Sequence, residues 1–378
     1  MDRQWKDATA FIARKNTKSS VVVGTNQILE QHQVNNAIED KSTSPSEKMA
    51  FLVEELMKTY TFKTLSDTET ILRYKEGKYH YGGELIIKAE LERLGGYSIT
   101  THLRIEVINH IKARTLVDRS EFDKDLDILN VKNGLVNIRT GEFKVHDPKY
   151  LSLVQLPVLY NPKARPQKII TFMYNVLDPS DVPLMLEYIG YCLIRINNLQ
   201  KDLMCVGDED NGKSVLLKVI SHLLGRENIS SKTLRSLVEG RFATADLYGK
   251  LANIFADISA RRLQDLEAFK VLASGDRISA ERKFQDSFEF ESTAKLIFSA
   301  NTPPKPTEDM ENAYYKRWVL INFNLRKNCY FCKKLIVKDP DLVENLTTEE
   351  ELSGLLNLAL ISARRLLSKR RRDTLFHP

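Results

Sequence analysis

The sequence predicts an α/β protein: an α/β accessory domain, an α/β core opened by a glycine loop, and a C-terminal helical segment. Three observations predict it. Apolar residues at helical spacing alternate along the chain with short apolar runs of strand length. One such run, "DLMCV" (202–206), leads through a glycine-rich turn into the helical pattern "VLLKVISHLLG" (215–225). The 378 residues are also 42% hydrophobic and 28% charged, which suits two or three packed domains rather than disorder.

Residues 1–47 read as a polar arm and linker, with a short helical pattern in "NQILEQHQVNNAI" and a linker signal in "EDKSTSPSEK". The accessory domain is expected over 48–197. "KMAFLVEELMKTYTF" opens it at helical spacing, and "ETILRYKEGKYHY" reads as two strands about a Glu76-Gly77 turn. "HLRIEVINHIKART" is helical, and "DILNVKNGLVNIRTGEFKVHDP" alternates like hairpins about Asn133-Gly134 and Thr140-Gly141. "PQKIITFMYNVL" and "VPLMLEYIGYCLIRI" follow as amphipathic helices. The core is expected over 198–325 and the helical segment over 326–378. In that segment "TTEEELSGLLNLALISARRLL" begins with a capping box, Thr348 to Glu351, and sets Leu352, Leu355, Leu356, Ala359 and Leu360 on one face. The basic run "SKRRR" (368–372) reads either as a solvated helix end or as a phosphate-binding tail.

Bulk properties exclude several classes. A formal net charge of +6 is compatible with nucleic acid. No apolar run is long enough to span a bilayer and the N-terminus lacks a signal-peptide core, so a cytoplasmic location without membrane partners is expected. Four cysteines in so long a chain argue for a reducing interior. Cys329 and Cys332 form a C-x-x-C, but a structural zinc site needs four ligands, and Cys192 and Cys205 sit in apolar runs.

"VGDEDNGKSV" (206–215) carries the chemistry. It fits G-x-x-x-x-G-K-[ST] with Gly207, Gly212, Lys213 and Ser214, and Asp208, Glu209, Asp210, Asn211 and Val215 complete the loop. Backbone N–H groups in such a loop converge on phosphate oxygens at a helix N-terminus. The lysine reaches the β- and γ-phosphates, and the serine hydroxyl helps hold Mg²⁺. ATP and Mg²⁺ are therefore the expected ligands, and the loop is expected to be solvent-exposed without nucleotide.

Four signals follow downstream. "KLANIFADIS" reads as a strand ending at Asp257, where a carboxylate can complete the Mg²⁺ shell. "KLIFSAN" is a strand ending at Asn301, whose amide can orient the attacking water. Between them, "SGDRISAERKFQDSFEFES" reads as a hairpin with Arg282, Lys283 and Phe284 near its tip, a cation beside an aromatic as in single-strand binding. "YYKRWVLINF" sets Arg317 before an apolar strand, where it can stabilise transition-state charge on a nucleotide held by a neighbouring subunit.

In this order the signals resemble the superfamily-three helicases, the AAA+-related ring motors of small viruses and plasmids. "ISAERKF" is similar to their pre-sensor hairpin, where the residue matching Lys283 contacts DNA. "KLIFSAN" is similar to their sensor strand and "KRWVLINF" to their arginine-finger segment. The chain resembles most the poxvirus and phage–plasmid primase-helicases, in archaeal plasmid or virus versions, through "RYKEGKY", "NGLVNIRTGE", "DP" and "DPDLVENLTTEEELSGLLNLAL". The resemblance implies an AAA+-like P-loop ATPase core and a homo-oligomeric, hexameric ring. It implies 3′-to-5′ translocation on single-stranded and forked DNA, and a primase or polymerase domain in the same or a separate chain. Lys213, Asp257, Asn301 and Arg317 would be catalytic, with Ser214 and Asp257 at the metal.

Three features depart from the pattern. Asp257 is followed by Ile258 rather than a second acid, so Asp257 itself, binding the metal through water, is the first candidate for activating the nucleophile, with Asp265 and Glu267 as weaker ones. The N-terminal arm is too short for a primase domain. The chain stops at Pro378 without a winged-helix module, as expected of a fragment of a larger replication protein or a chain whose primase is separate. Two rival readings remain: a P-loop small-molecule kinase, which needs no basic hairpin, and a non-hydrolysing initiation scaffold.

Overall fold

Ser44 starts the first helix, α1 (Pro45–Thr59). Its hydroxyl accepts from the Glu47 N–H at 3.3 Å, while the Glu47 carboxylate accepts from the Ser44 N–H at 2.8 Å. Two donors without intrahelical partners are thereby satisfied reciprocally. The computed structural model describes residues 43–240, 242–258, 266–284, 286–304, 314–323 and 340–368. They form two compact units that divide between Phe122 and Asp123. The N-terminal arm before residue 43, Asp265, Cys329, Cys332 and the basic run beyond Ser368 lie outside the described residues.

In the first unit α1 leads to β1 (Phe62–Leu65), β2 (Ile71–Lys75), β3 (Lys78–His80), α2 (Gly83–Gly95), α3 (Thr101–Arg114) and β4 (Leu116–Val117). The sheet runs β3-β2-β1-β4, with only β4 parallel to its neighbour. Leu52 and Leu56 of α1 meet Ile87 and Leu91 of α2 and Val107 and Ile111 of α3 in one buried cluster. The helical pattern expected through Phe62 stops at Thr59, because the β-branched and aromatic residues Thr61, Phe62 and Thr64 suit a pleated strand. Glu76 and Gly77, at φ of 52° and 89°, form the expected turn between β2 and β3.

The second unit opens with a meander, β5 (Ile128–Val131), β6 (Gly134–Asn137) and β7 (Phe143–Lys144). Gly134 pairs with Val131, so the first turn is Lys132-Asn133, one residue earlier than expected. Helices α4 (Gln167–Val176) and α5 (Asp181–Leu193) precede β8 (Asp202–Val206) and α6 (Lys213–Leu224). Then come β9 (Ile229–Ser230), α7 (Leu234–Glu239), β10 (Ala252–Phe255), α8 (Leu266–Ser274) and the hairpin β11 (Arg277–Ala280) with β12 (Phe288–Glu291). β13 (Lys295–Ala300), β14 (Trp318–Asn322), α9 (Leu342–Leu346) and α10 (Glu349–Ser368) complete the unit.

Five of these strands form one parallel sheet in the order β14-β8-β13-β10-β9. Both faces are covered. Leu203, Cys205, Ile297, Val319 and Ile321 point into the cluster formed with α4, α5, α6, α9 and α10. Met204, Leu296, Phe298 and Trp318 point into the cluster with α7, α8 and the hairpin. Period-two alternation into two apolar clusters explains why these strands read as continuous hydrophobic runs.

The boundary at Phe122/Asp123 cuts across the segment 48–197 expected to be one domain. Leu129, Val131, Leu156 and helices α4 and α5 share a buried cluster with β8, α6 and α10. Glu351 shows one reason. The Glu351 N–H lies 3.5 Å from the Thr348 hydroxyl, as half of a capping box. Its carboxylate instead accepts from the N–H groups of Lys168 and Ile169, both at 3.0 Å, at the start of α4. It satisfies donors that Pro166 cannot cap, with its charge at the favourable end of that helix dipole. Arg365 of the same helix pairs with the buried Glu187 of α5.

Candidate functional site

Because all five strands are parallel, their carboxyl ends share one edge. Val206 runs into the glycine loop there, Phe255 into Asp257, Ala300 into Asn301 and Asn322 into Phe323. β8 is the central strand of the reversal, since the chain leaves it for the far edge at β9 and returns to both of its sides as β13 and β14. Parallel sheets bind ligands outside the carboxyl ends of strands at such a switch point.

The loop from Gly207 to Ser214 is tightly folded. A Cβ at Gly207 would come within 2.2 Å of Asn211 Nδ2 and 2.7 Å of the Phe323 carbonyl, so only glycine fits. Gly212 takes φ of 93° directly before α6, which starts at Lys213. Asp210 is also left-handed, at φ of 57°. Asp208, Glu209, Asp210 and Ser214 are exposed, Gly207 and Val215 are half-buried, and Asn211 and Gly212 are buried.

Lys213 differs from the exposed cradle lysine expected: its side chain is 4% exposed. Its ammonium donates to the carbonyls of Gly207 and Asp208, to Asn211 Oδ1 at 3.2 Å and to Asn301 Oδ1 at 3.4 Å. These four acceptors satisfy a charge that burial would otherwise penalise. Burial pushes the Lys213 pKa down, and the nearby Asp257, followed by Asp208, opposes that shift.

Lys213 and Asn301 are thus within hydrogen-bonding reach, and Asp257 lies in their electrostatic neighbourhood. Strand β10 ends at Phe255 rather than at Asp257. Asp257 follows in the left-handed region, at φ of 57°, which aspartate tolerates better than most residues. Ser299, fully buried in β13, holds it there. The Ser299 hydroxyl accepts from the Asp257 N–H at 3.1 Å and its carbonyl from the Ile258 N–H at 2.9 Å. Sequence reasoning missed Ser299, although a hydroxyl inside the apolar run "KLIFSAN" was its signal. Glu267 is exposed at the start of α8.

A divalent cation fits the residues present. The Ser214 hydroxyl and Asp257 carboxylate are exposed hard oxygen donors, suited to Mg²⁺ that keeps most of its shell for water and phosphate. Among the described residues no group of three or more His, Cys, Asp or Glu side chains converges on a metal position. Cys192 and Cys205 are buried free thiols, their pKa values pushed up to about 12 by burial.

The β11–β12 hairpin pairs Ile278 with Phe290 and Ala280 with Phe288. Its tip carries Lys283 and Phe284, both exposed, and Phe284 is left-handed at φ of 62°. The Arg282 guanidinium lies over the Phe288 ring, 4.9 Å from its centroid, and so also stabilises the hairpin.

Arg317 sits at the opposite edge of the sheet from the glycine loop. Its carbonyl accepts from the Asp202 N–H at 2.8 Å, beside the first residue of β8. A five-residue strand separates that edge from the loop by about 16 Å. Arg317 is half-buried, and its charge opposes the upward push of burial on the Asp202 carboxyl.

Known proteins resemble both units. A family described as "D5 N terminal like" matches residues 66–178. A family of unknown function (DUF5906) matches residues 205–317, the span from the glycine loop to Arg317. Among solved structures, the A-form apo structure of the NrS-1 C-terminal region superposes with a TM-score of 0.53 at 14% identity, covering 86% of this chain and 70% of that one. A second apo structure of the same region gives 0.53 at 13% identity, covering 87% and 71%. Among the described residues, no helix is long and apolar enough to cross a membrane. The chain therefore shares a mixed α/β fold with the NrS-1 C-terminal region and carries a segment similar to the D5 N-terminal family.

Proposed function

We propose that the chain is a replication protein of the primase-helicase type whose AAA+-like second unit hydrolyses ATP to move along single-stranded DNA. The observation that carries this reading is the meeting of Lys213, Asn301 and Asp257 at the carboxyl edge of one parallel sheet. Lys213 would turn from its loop carbonyls to the β- and γ-phosphates and supply charge to the transition state. The Asn301 amide would orient the attacking water. Ser214 and Asp257 would hold Mg²⁺, which supplies charge neutralisation on the phosphates. Arg317, too far along the sheet to serve its own cradle, would complete the site of the next subunit in a ring.

The exposed Lys283–Phe284 tip would grip the strand, lysine on phosphate and phenylalanine against a base. A hexamer, 3′-to-5′ movement on forked DNA and an archaeal plasmid or virus system follow only from the resemblance to superfamily-three primase-helicases, and the cytoplasmic setting is an expectation from the sequence. A primase or polymerase domain would act beside it. ATP hydrolysis measured with and without single-stranded DNA tests the reading. Stimulation by DNA is expected. DNA-independent phosphate transfer to a small acceptor would identify a kinase instead, and ATP binding without turnover would identify an initiation scaffold.

A further inference from the structure

Asn211 is 5% exposed, and its two amide atoms serve different partners. Oδ1 accepts from the Lys213 ammonium at 3.2 Å, while Nδ2 donates to the Phe323 carbonyl at 2.8 Å. Phe323 caps β14, and its N–H donates to the Val206 carbonyl at 2.7 Å. From there β14 pairs with β8 through all five residues, Asn322 with Val206 down to Trp318 with Asp202, and Arg317 comes next. Trp318, Val319 and Ile321 are buried, and packing of that density transmits strain rather than absorbing it.

We propose that Asn211 couples occupancy of a subunit's own cradle to β14, and thereby to Arg317 at the strand's other end. The inference rests on the shared-site reading above. Phosphate at the cradle draws the Lys213 ammonium away from Asn211 Oδ1. The amide then loses its partner on one side while still holding Phe323 on the other. Only a side chain with a donor and an acceptor on one short planar group joins the loop lysine to a strand carbonyl in this way. A residue that merely filled space would need neither bond.

The test uses the full chain, with AMP-PNP and Mg²⁺ as the probe. Asn211→Asp keeps volume and the acceptor toward Lys213 but removes the donor and sets a carboxylate against the Phe323 carbonyl. Asn211→Ala, which adds no charge, is the second variant should that carboxylate upset the fold. In wild type, saturation with AMP-PNP should change hydrogen exchange in 318–323 by about threefold or more. Both variants should lose that response at saturating probe, and the Hill coefficient of their ATP hydrolysis should fall to about 1. A β14 response that survives in the variants overturns the proposal, as does a lost response with wild-type cooperativity. Failure of the shared-site reading shows elsewhere, as mixtures of Lys213→Ala and Arg317→Ala that recover no activity.

Discussion

Lys213 and Lys295 occupy opposite edges of one parallel sheet, and each hides an ammonium among oxygen acceptors. Lys295, 1% exposed at the start of β13, donates to the carbonyls of Ile194, to Ile196 at 3.0 Å and to Thr293 at 2.9 Å. It also lies over the Tyr191 ring, 4.5 Å from the centroid. Burial pushes its pKa down to about 7 and that of the neighbouring Asp202 up to about 7. Its carbonyl partners belong to the chain leaving α5 and to the residues before β13, inside the packed unit. Those of Lys213 are two loop carbonyls and two side-chain amides, beside the exposed acids Asp208, Glu209 and Asp257. A buried lysine is therefore not a site by burial alone. On the proposed reading, what separates the two is whether a ligand can replace the partners.

The contrast breaks first at Lys213→Ala. Steady-state ATP hydrolysis should fall by about 10³-fold or more, since the cradle loses its charge for the transition state. Its thermal midpoint should fall only slightly, because two of the four partners released, Asp208 and Asn301, are exposed. Unchanged turnover in the folded variant would remove this edge as the active site. Lys295→Met should do the reverse. Three carbonyls lose a buried donor, so denaturant unfolding should show a loss of about 3–5 kcal/mol. Hydrolysis per folded molecule should change little, and a stable variant with poor turnover would erase the distinction between the edges.

The smallest effects belong to the hairpin. Lys283→Ala and Phe284→Ala should each weaken single-strand binding by about 5–100-fold, as expected from losing one phosphate contact or one stacked base. The lysine variant should also show a shallower salt dependence, while basal hydrolysis persists. Normal unwinding by both would make the hairpin structural.

How much of this was legible before folding depends on the range of each interaction. The loop spacing, Asn301 and the hairpin tip are local patterns, and each lies in or beside the element expected of it. The closed state of Lys213 was not legible. The motif describes what a lysine does with phosphate, whereas its resting partners include Asn301, which lies 88 residues away. Lys295 drew no reading of its own within "KLIFSAN", because its acceptors come from 194–196 and 293. Glu351 matched a local capping box, yet its carboxylate acts across 183 residues on α4. The same long-range packing draws 123–197 into the second unit, where apolar spacing and the family resemblance suggested one accessory domain over 48–197.

The claim that joins these observations is a site shared between subunits: Lys213 from one, Arg317 from the next. Arg317→Ala should bind ATP almost normally and hydrolyse it poorly, since its own cradle is intact. Lys213→Ala has the opposite lesion. Once subunit exchange has been established with tagged and untagged wild type, the two inactive variants are mixed in equal amounts and hydrolysis is measured. Random assembly into a ring pairs an intact cradle with an intact finger at about one interface in four, so about a quarter of wild-type activity should return. Exchange without any recovered hydrolysis would contradict the account and leave Arg317 as a brace beside Asp202 at the edge of its own sheet.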